Sequence, residues 1–421
     1  MPAGRARSLG LALLLQQQGR LAEARPLLQA WGADQSTADT QLRLAWANGC
    51  DAAARLEVLN SLWRRRGLVT LQLRQAEAGL GIDNLAATAP ACRQDWGLVS
   101  VIVPVRNGAA TLATALASLC NQSYRQLEVL VVDDASDDAT ATIAMWWAGR
   151  DARVRLLRQR RCGGPYRARN RGLAVCRGEL ITCHDADDWS HPQKLERQLR
   201  ALQKRPQQLA SLSRWARCSD ALVFSAGWRI WPQLVHDNLS SLLVRRVVLE
   251  RLRGWDPVQV GADAEYRRRI SALAGPEAVA VVEPHTPLSL ARLGQGTLTA
   301  AAATHVSSTL HGLRHSYGEL TRLWQQRPGG LERDSQRQRW RRLPPECFGR
   351  SEAAIGMRPQ EVAEGDCGDP RWLEQLRSQG DWRWLRHRPG AERTPQNPGE
   401  PLALHPLCLE LLEERNGRLL L

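Results

Sequence analysis

Gly178-Glu-Leu-Ile-Thr-Cys-His-Asp-Ala-Asp-Asp-Trp189 runs a short apolar stretch, Leu180 to Cys183, straight into three carboxylates, Asp185, Asp187 and Asp188. The stretch predicts a buried strand, and Pro192 follows where a helix can begin at its first turn. Open α/β sheets bind ligands beyond the carboxyl ends of their strands, which is where these acids would stand. Carboxylates this close repel one another unless a cation or a set of donors lies between them. Asp185-Ala-Asp187 is therefore a candidate site for a divalent metal and phosphate.

Outward from it, the chain alternates strand and helix. Leu98-Val-Ser-Val-Ile-Val-Pro-Val105 is β-branched and nearly free of charge, as a sheet covered on both faces requires. Asn107-Gly108 makes a turn, and Leu112, Leu116 and Leu119 share one helical face. Leu127–Val132 is a second strand ending at Asp133-Asp134, followed by a helix bearing Ile143, Trp146 and Trp147 that Asp137 or Asp138 can cap. Val154–Leu157 suggests a third strand, Tyr166–Cys176 a helix, and Leu180–Cys183 the fourth strand. This alternation predicts an α/β fold with a doubly wound, mostly parallel sheet over residues 98–300.

Here the motifs resemble glycosyltransferase family 2, inverting sugar transferases of the GT-A fold. The resemblance is carried by Val99-Ser-Val-Ile-Val-Pro-Val-Arg-Asn107, Leu127–Asp138, Ala168-Arg-Asn-Arg-Gly-Leu173 and Arg177–Trp189, four motifs in family order and spacing. It implies a nucleotide-sugar donor, UDP-linked, with Mn2+ or Mg2+, and a glycan or lipid-linked acceptor. By the same resemblance Asp187 is the metal ligand and Asp185 touches the ribose or the metal through water. Asp134 would accept a hydrogen bond from the base, Asp133 would support that loop, Pro104 and Arg106 border the pocket, and Arg169 meets the donor. Guanidinium suits phosphate or a pyrimidine edge. Asp188 is expected only to cap the next helix.

The resemblance reaches its general base in Leu252–Ile270. The family's Glu-Asp pair is Ala262-Asp263 here, so Asp263 takes the proton of the acceptor hydroxyl, with Glu265 as runner-up and Gly254 and Trp255 shaping the acceptor side. Positioning such a base is worth roughly 10²–10⁴-fold in rate. Arg106 replaces the aromatic that usually follows Pro-Val. His184 and His191 read as hydrogen-bonded structure, His285 as a weaker candidate for metal or diphosphate, and the His311/His315 pair as a solvated face.

The flanks differ in character. Residues 1–97 read as a helical N-terminal region, weakly tetratricopeptide-like around Leu9–Leu28, with a second pair at Thr40–Trp46 and Ala52–Trp63. Such helices serve either as a cap on the next domain or as a groove for a protein partner. Residues 301–421 form a mixed helical and irregular C-terminal region, with a helix reaching Trp324 and short helices at Trp372–Leu376 and Leu407–Leu412. The net charge of +14 is almost wholly arginine, since Lys194 and Lys204 are the only lysines. That balance suits nucleotide phosphates or an anionic membrane surface; no nucleic-acid signature accompanies it. Ten scattered cysteines without a Cys-x-x-Cys pair suit reduced thiols, and the apolar run Leu9–Leu15 is too short to span a bilayer. The expectation is a cytoplasmic enzyme, peripheral at most. A non-catalytic scaffold is the alternative; nucleotidyl transfer ranks last, because Val103–Gly108 lacks a glycine-rich loop.

Overall fold

Four helices open the chain: α1 (Ala3–Gln17), α2 (Leu21–Gln29), α3 (Thr40–Asn48) and α4 (Ala52–Arg64). Aspartates start the last two. Asp39 accepts from the Gln41 amide at 2.7 Å and Asp51 from the Ala54 amide at 2.8 Å, satisfying N–H groups that a helix start leaves without partners. A ribbon of β1 (Gln72–Leu73) and β2 (Leu85–Ala86) follows, antiparallel. The structure, a computed structural model, describes residues 3–34, 37–226, 233–293, 313–326 and 329–331. The chain divides into two compact units, one of residues 1–255 and 266–297, the other of 256–265 and 298–421.

In the first unit the alternation read from the sequence becomes β3 (Val99–Val105), α5 (Leu112–Cys120), β4 (Leu127–Asp133), α6 (Thr140–Ala148), β5 (Val154–Arg158), α7 (Pro165–Leu173) and β6 (Leu180–Cys183). All seven residues of β3 and of β4 are buried, so both faces of these strands are covered and their runs are apolar rather than alternating. The four strands are parallel in the order β6-β3-β4-β5. From β3 the chain first winds toward β5 and later returns to the other side at β6. The carboxyl ends of β3 and β6 thus flank a switch point, where such sheets open a crevice.

Next come β7 (Trp189–Ser190), α8 (Lys194–Lys204), β8 (Ala210–Leu212), β9 (Arg214–Cys218), β10 (Val235–Asp237), β11 (Leu243–Arg245) and α9 (Arg246–Leu252). After them lie α10 (Ala262–Ala274), β12 (Val279–Val281) and β13 (Ser289–Arg292). The large sheet is completed as β12-β8-β11-β6-β3-β4-β5, with β11 antiparallel to both neighbours. A second sheet, β10-β9-β13-β7, stands beside it. The fold is the mostly parallel α/β sheet that the alternation predicted; the short β11 and the second sheet did not show in the sequence pattern.

Helices α1–α4 do not fold on a core of their own. Leu9, Leu28, Leu59 and Trp63 pack in one apolar cluster with Trp189, Ala216, Phe224 and Leu290 from around the second sheet. Asn48 sets the register, donating to the Phe224 carbonyl at 2.8 Å and accepting from its amide at 2.7 Å. In the second unit, α11 (Leu313–Gln325) carries Tyr317, whose hydroxyl donates to Asp256 at 2.7 Å. The short helices expected at Trp372–Leu376 and Leu407–Leu412 lie outside the described residues.

Candidate active site

The acids after β6 are handled unequally by their surroundings. Both oxygens of Asp185 are taken: Arg169 Nη2 donates to Oδ1 at 2.9 Å and Ser240 Oγ donates to Oδ2 at 2.5 Å. Arg169 is delivered by α7 and buried, with its guanidinium 5.1 Å from the Tyr166 ring. Burial opposes ionisation of Asp185, but the Arg169 charge and the Ser240 hydroxyl outweigh it and hold its carboxyl below the usual range. Asp187 has no such partner among the described residues; its own backbone amide and the charges of Arg217 and Arg292 favour its ionised form. Burial, then the charge of Asp185, push it up to about 6.

Asp188 is 4 % exposed and is raised further, by burial first and then by Asp187 and Asp185. It does not cap α8: the Leu195 amide there donates to Gln122 Oε1 at 3.1 Å instead. Below the acids lies a polar network. Lys194 Nζ donates to Ser190 Oγ at 2.8 Å, His184 Nε2 meets the same oxygen at 2.8 Å, and His191 Nε2 meets the Val69 carbonyl at 3.0 Å. Burial lowers His184 to about 3 and His191 to about 4, so both are neutral imidazoles that brace the loop. Arg292, at the end of β13, donates from Nε to the Asp187 carbonyl at 3.4 Å and pairs with Asp83 at 2.6 Å.

No group of three or more His, Cys, Asp or Glu side chains able to hold a metal occurs among the described residues. Asp187 nevertheless offers a half-buried carboxylate, with no side-chain hydrogen bond among the described residues, beside another negative charge. A hard cation that takes one or two carboxylates and completes its shell with phosphate and water fits such a donor set.

At the ends of β3 and β4, Pro104 pairs with Val132 in the ladder and Asp133 is wholly buried. Asp133 accepts from the Ser136 amide at 3.0 Å and pairs with Arg158 at 3.2 Å. Asp134 holds the β5–α7 loop: it accepts from the Gly163 amide at 2.8 Å, the Gly164 amide at 2.7 Å and Gln159 Nε2 at 2.6 Å. Arg106 is exposed, and its Nη1 donates to Cys162 Sγ at 2.7 Å.

Asn170 clamps the Trp255 backbone, accepting from its amide at 3.0 Å and donating to its carbonyl at 2.7 Å. The Trp255 ring is buried and 5.4 Å from Tyr266, which makes it a core side chain rather than an open stacking platform. Gly254 is required there, because a Cβ would stand 2.2 Å from Asn170 Oδ1. In the second unit, Asp263 lies in the first turn of α10 and its Oδ1 accepts from the Ala264 amide at 2.8 Å. Glu265 is buried and accepts from Gln325 at 2.9 Å. His285 is exposed in the turn between β12 and β13, and the His311/His315 pair falls outside the described side chains. Ser240, Gln159 and Arg292 are the functional neighbours that the sequence did not announce. Ser240 and Arg292 lie some 55 and 105 positions from the acids they touch, so no local spacing could reveal them.

A mostly parallel sheet with acids beyond its carboxyl ends is the arrangement in which α/β proteins bind ligands. Residues 100–268 match the model of glycosyl transferase family 2. Its curated relatives include glycosyltransferase GlyG of Streptococcus pneumoniae serotype 4, 38% identical over 91 residues, 22% of this chain and 30% of that protein. An uncharacterized glycosyltransferase of Haemophilus influenzae is 39% identical over 102 residues, 24% of this chain and 41% of that protein. The matches thus span less than half of either relative. Among solved structures, TarS of S. aureus with UDP-GlcNAc overlaps at a TM-score of 0.38 and 19% identity, over 49% of this chain and 61% of that one. The mannosyltransferase PcManGT of Pyrobaculum calidifontis with GDP-Man and Mn2+ overlaps at 0.39 and 19% identity, over 65% and 79%.

Proposed function

We propose that this chain transfers a sugar, with inversion, from a UDP-linked donor to a hydroxyl of a glycan or lipid-linked acceptor. The observation that carries the reading is the contrast between Asp185, whose two oxygens accept from Arg169 and Ser240, and the half-buried Asp187 beside it, which has no side-chain hydrogen bond among the described residues. Asp187 would hold Mn2+ or Mg2+, with Asp185 turned to the ribose or to a metal-bound water. Such an ion, when bound, supplies Lewis-acid stabilisation of the leaving diphosphate. Pro104, Asp133 and Asp134 form the base end of the donor pocket, and Arg169 orients the donor from α7.

Asp263 receives the proton. Its Oδ1 is engaged by the Ala264 amide, which leaves Oδ2 for the acceptor hydroxyl. The acceptor oxygen forms its bond to the anomeric carbon as the bond to the diphosphate oxygen breaks on the opposite face. The proton passes to the Asp263 carboxylate and the electron pair leaves with the diphosphate. No described helix is long and apolar enough to cross a membrane. The setting we propose is cytoplasmic, in cell-envelope polysaccharide assembly, with arginines contacting an anionic membrane face and α1–α4 open to a protein partner.

The test is release of free nucleotide from UDP-, GDP- and TDP-sugars by the purified chain with Mn2+ or Mg2+. Asp187→Ala and Asp263→Asn should each lower turnover by at least about 10²–10⁴-fold while the circular-dichroism spectrum is kept. Full turnover in either variant removes that residue from its role. A scaffold without catalysis would release no nucleotide from any donor.

A further inference from the structure

The base end of the pocket has an acceptor inventory that can be counted. A carboxylate has two oxygens and about four lone-pair sites, and it only accepts. At Asp134, Oδ1 already takes Gln159 Nε2 at 2.6 Å and the Gly163 amide at 2.8 Å, while Oδ2 takes the Gly164 amide at 2.7 Å and Cys162 Sγ at 3.5 Å. A base N–H approaching Asp134 would therefore have to displace a donor. Two of the four are backbone amides fixed at the start of α7.

Gln159 is different. Its amide continues the pairing of β5 with β4, donating to the Asp133 carbonyl at 2.8 Å, so the residue stands beside the carboxyl ends of the strands. Its side chain is half-buried. Because Asp134 can only accept, the NH2 end of the Gln159 amide must face it, and the carbonyl end, Oε1, must face away. That oxygen accepts no hydrogen bond among the described residues. A side-chain amide free to turn could serve as donor or acceptor; this one is locked as an acceptor.

We propose that Gln159, oriented by Asp134, reads the nucleobase: Oε1 accepts the imide N–H of a uracil-type base, and Asp134 is a positioning residue for that amide and for the Gly163-Gly164 loop. The inference rests on the donor reading above and supplies its base specificity. Cytosine presents an acceptor where uracil presents the imide N–H, so the pair UDP and CDP isolates this contact.

Calorimetric titration of the full chain with UDP and with CDP, both in Mn2+, tests it. The unmodified protein should prefer UDP. Gln159→Ala should weaken UDP by roughly five- to tenfold, the worth of one hydrogen bond, and leave CDP unchanged. Asp134→Asn can pair with either end of the amide, so the UDP/CDP ratio should fall toward one as CDP binding improves. Unchanged UDP affinity in Gln159→Ala overturns the proposal, as does a UDP preference lost in Asp134→Asn but kept in Gln159→Ala, which would make the carboxylate itself the reader. Failure of the unmodified protein to bind either nucleotide would remove the donor reading and this inference together. Failure confined to Gln159→Ala removes only the inference.

Discussion

Asp187 shows at the scale of one residue what a cation would relieve. Its carboxyl is pushed up to about 6, first by burial and then by the Asp185 charge. A folded-state value above the unfolded one means the folded chain holds the proton more tightly, so stability falls as pH climbs from about 4 to about 6 and stays lower above that. In divalent-free buffer at pH 7.5, Asp187→Asn should therefore unfold at a higher temperature than the unmodified protein. An increase of roughly 1–2 °C is expected, the shift that about 1 kcal/mol gives in a chain of 421 residues. The two should converge near pH 4, and a lower midpoint for the variant at pH 7.5 would contradict the assignment. Affinity of the unmodified chain for Mn2+ should fall below pH 6 as the same proton returns.

At the scale of elements, the sheet is fastened at its other end by Glu128 of β4. Its side chain is 1 % exposed and accepts from Ser100 Oγ at 2.7 Å, from the Arg177 amide at 2.6 Å and from Arg177 Nε at 3.0 Å. It thus ties β4 to β3 and to the start of β6. Burial works against its charge, but Ser100 and Arg177 prevail and hold it below the usual range. A depressed carboxyl contributes stability at neutral pH that is lost as pH falls through the folded-state value. Glu128→Gln should cost about 1–3 kcal/mol in urea unfolding at pH 7 and flatten the acid limb of the stability profile. Gly178 sits at the same junction, where a Cβ would stand 2.6 Å from both the Leu98 carbonyl oxygen and the Ser100 amide nitrogen. Gly178→Ala should force β3 and β6 apart, with a loss of about 1–3 kcal/mol as expected for overpacking.

For the first unit as a whole, the N-terminal helices and the second sheet share one apolar cluster, with Trp63 at the junction. Its ring is 1 % exposed, lies 6.4 Å from Trp189 and 5.5 Å from His191, and its Nε1 donates to the Pro287 carbonyl at 2.9 Å. Trp63→Ala should destabilise the unit by about 3–5 kcal/mol. Because Trp189 directly follows the acids, the loss should reach the site: the variant should also need more Mn2+ for half-maximal donor hydrolysis. A variant that loses stability with an unchanged Mn2+ requirement would show that the helices support the sheet without bearing on Asp187.

The sequence by itself determined the four parallel strands and their helices, because continuous apolar runs between turn residues have few other ways to bury their surface. It also determined which acids end β4 and β6, since those positions follow from strand length alone. Only the tertiary structure decided how the acids differ. Ser240 and Arg169 reach Asp185 from distant elements, Asp187 has no side-chain hydrogen bond among the described residues, and Asp134 is spent on holding Gln159 and a glycine pair. A carboxylate's role depends on which donors surround it, and those donors are brought together by packing across the sheet rather than by proximity along the chain.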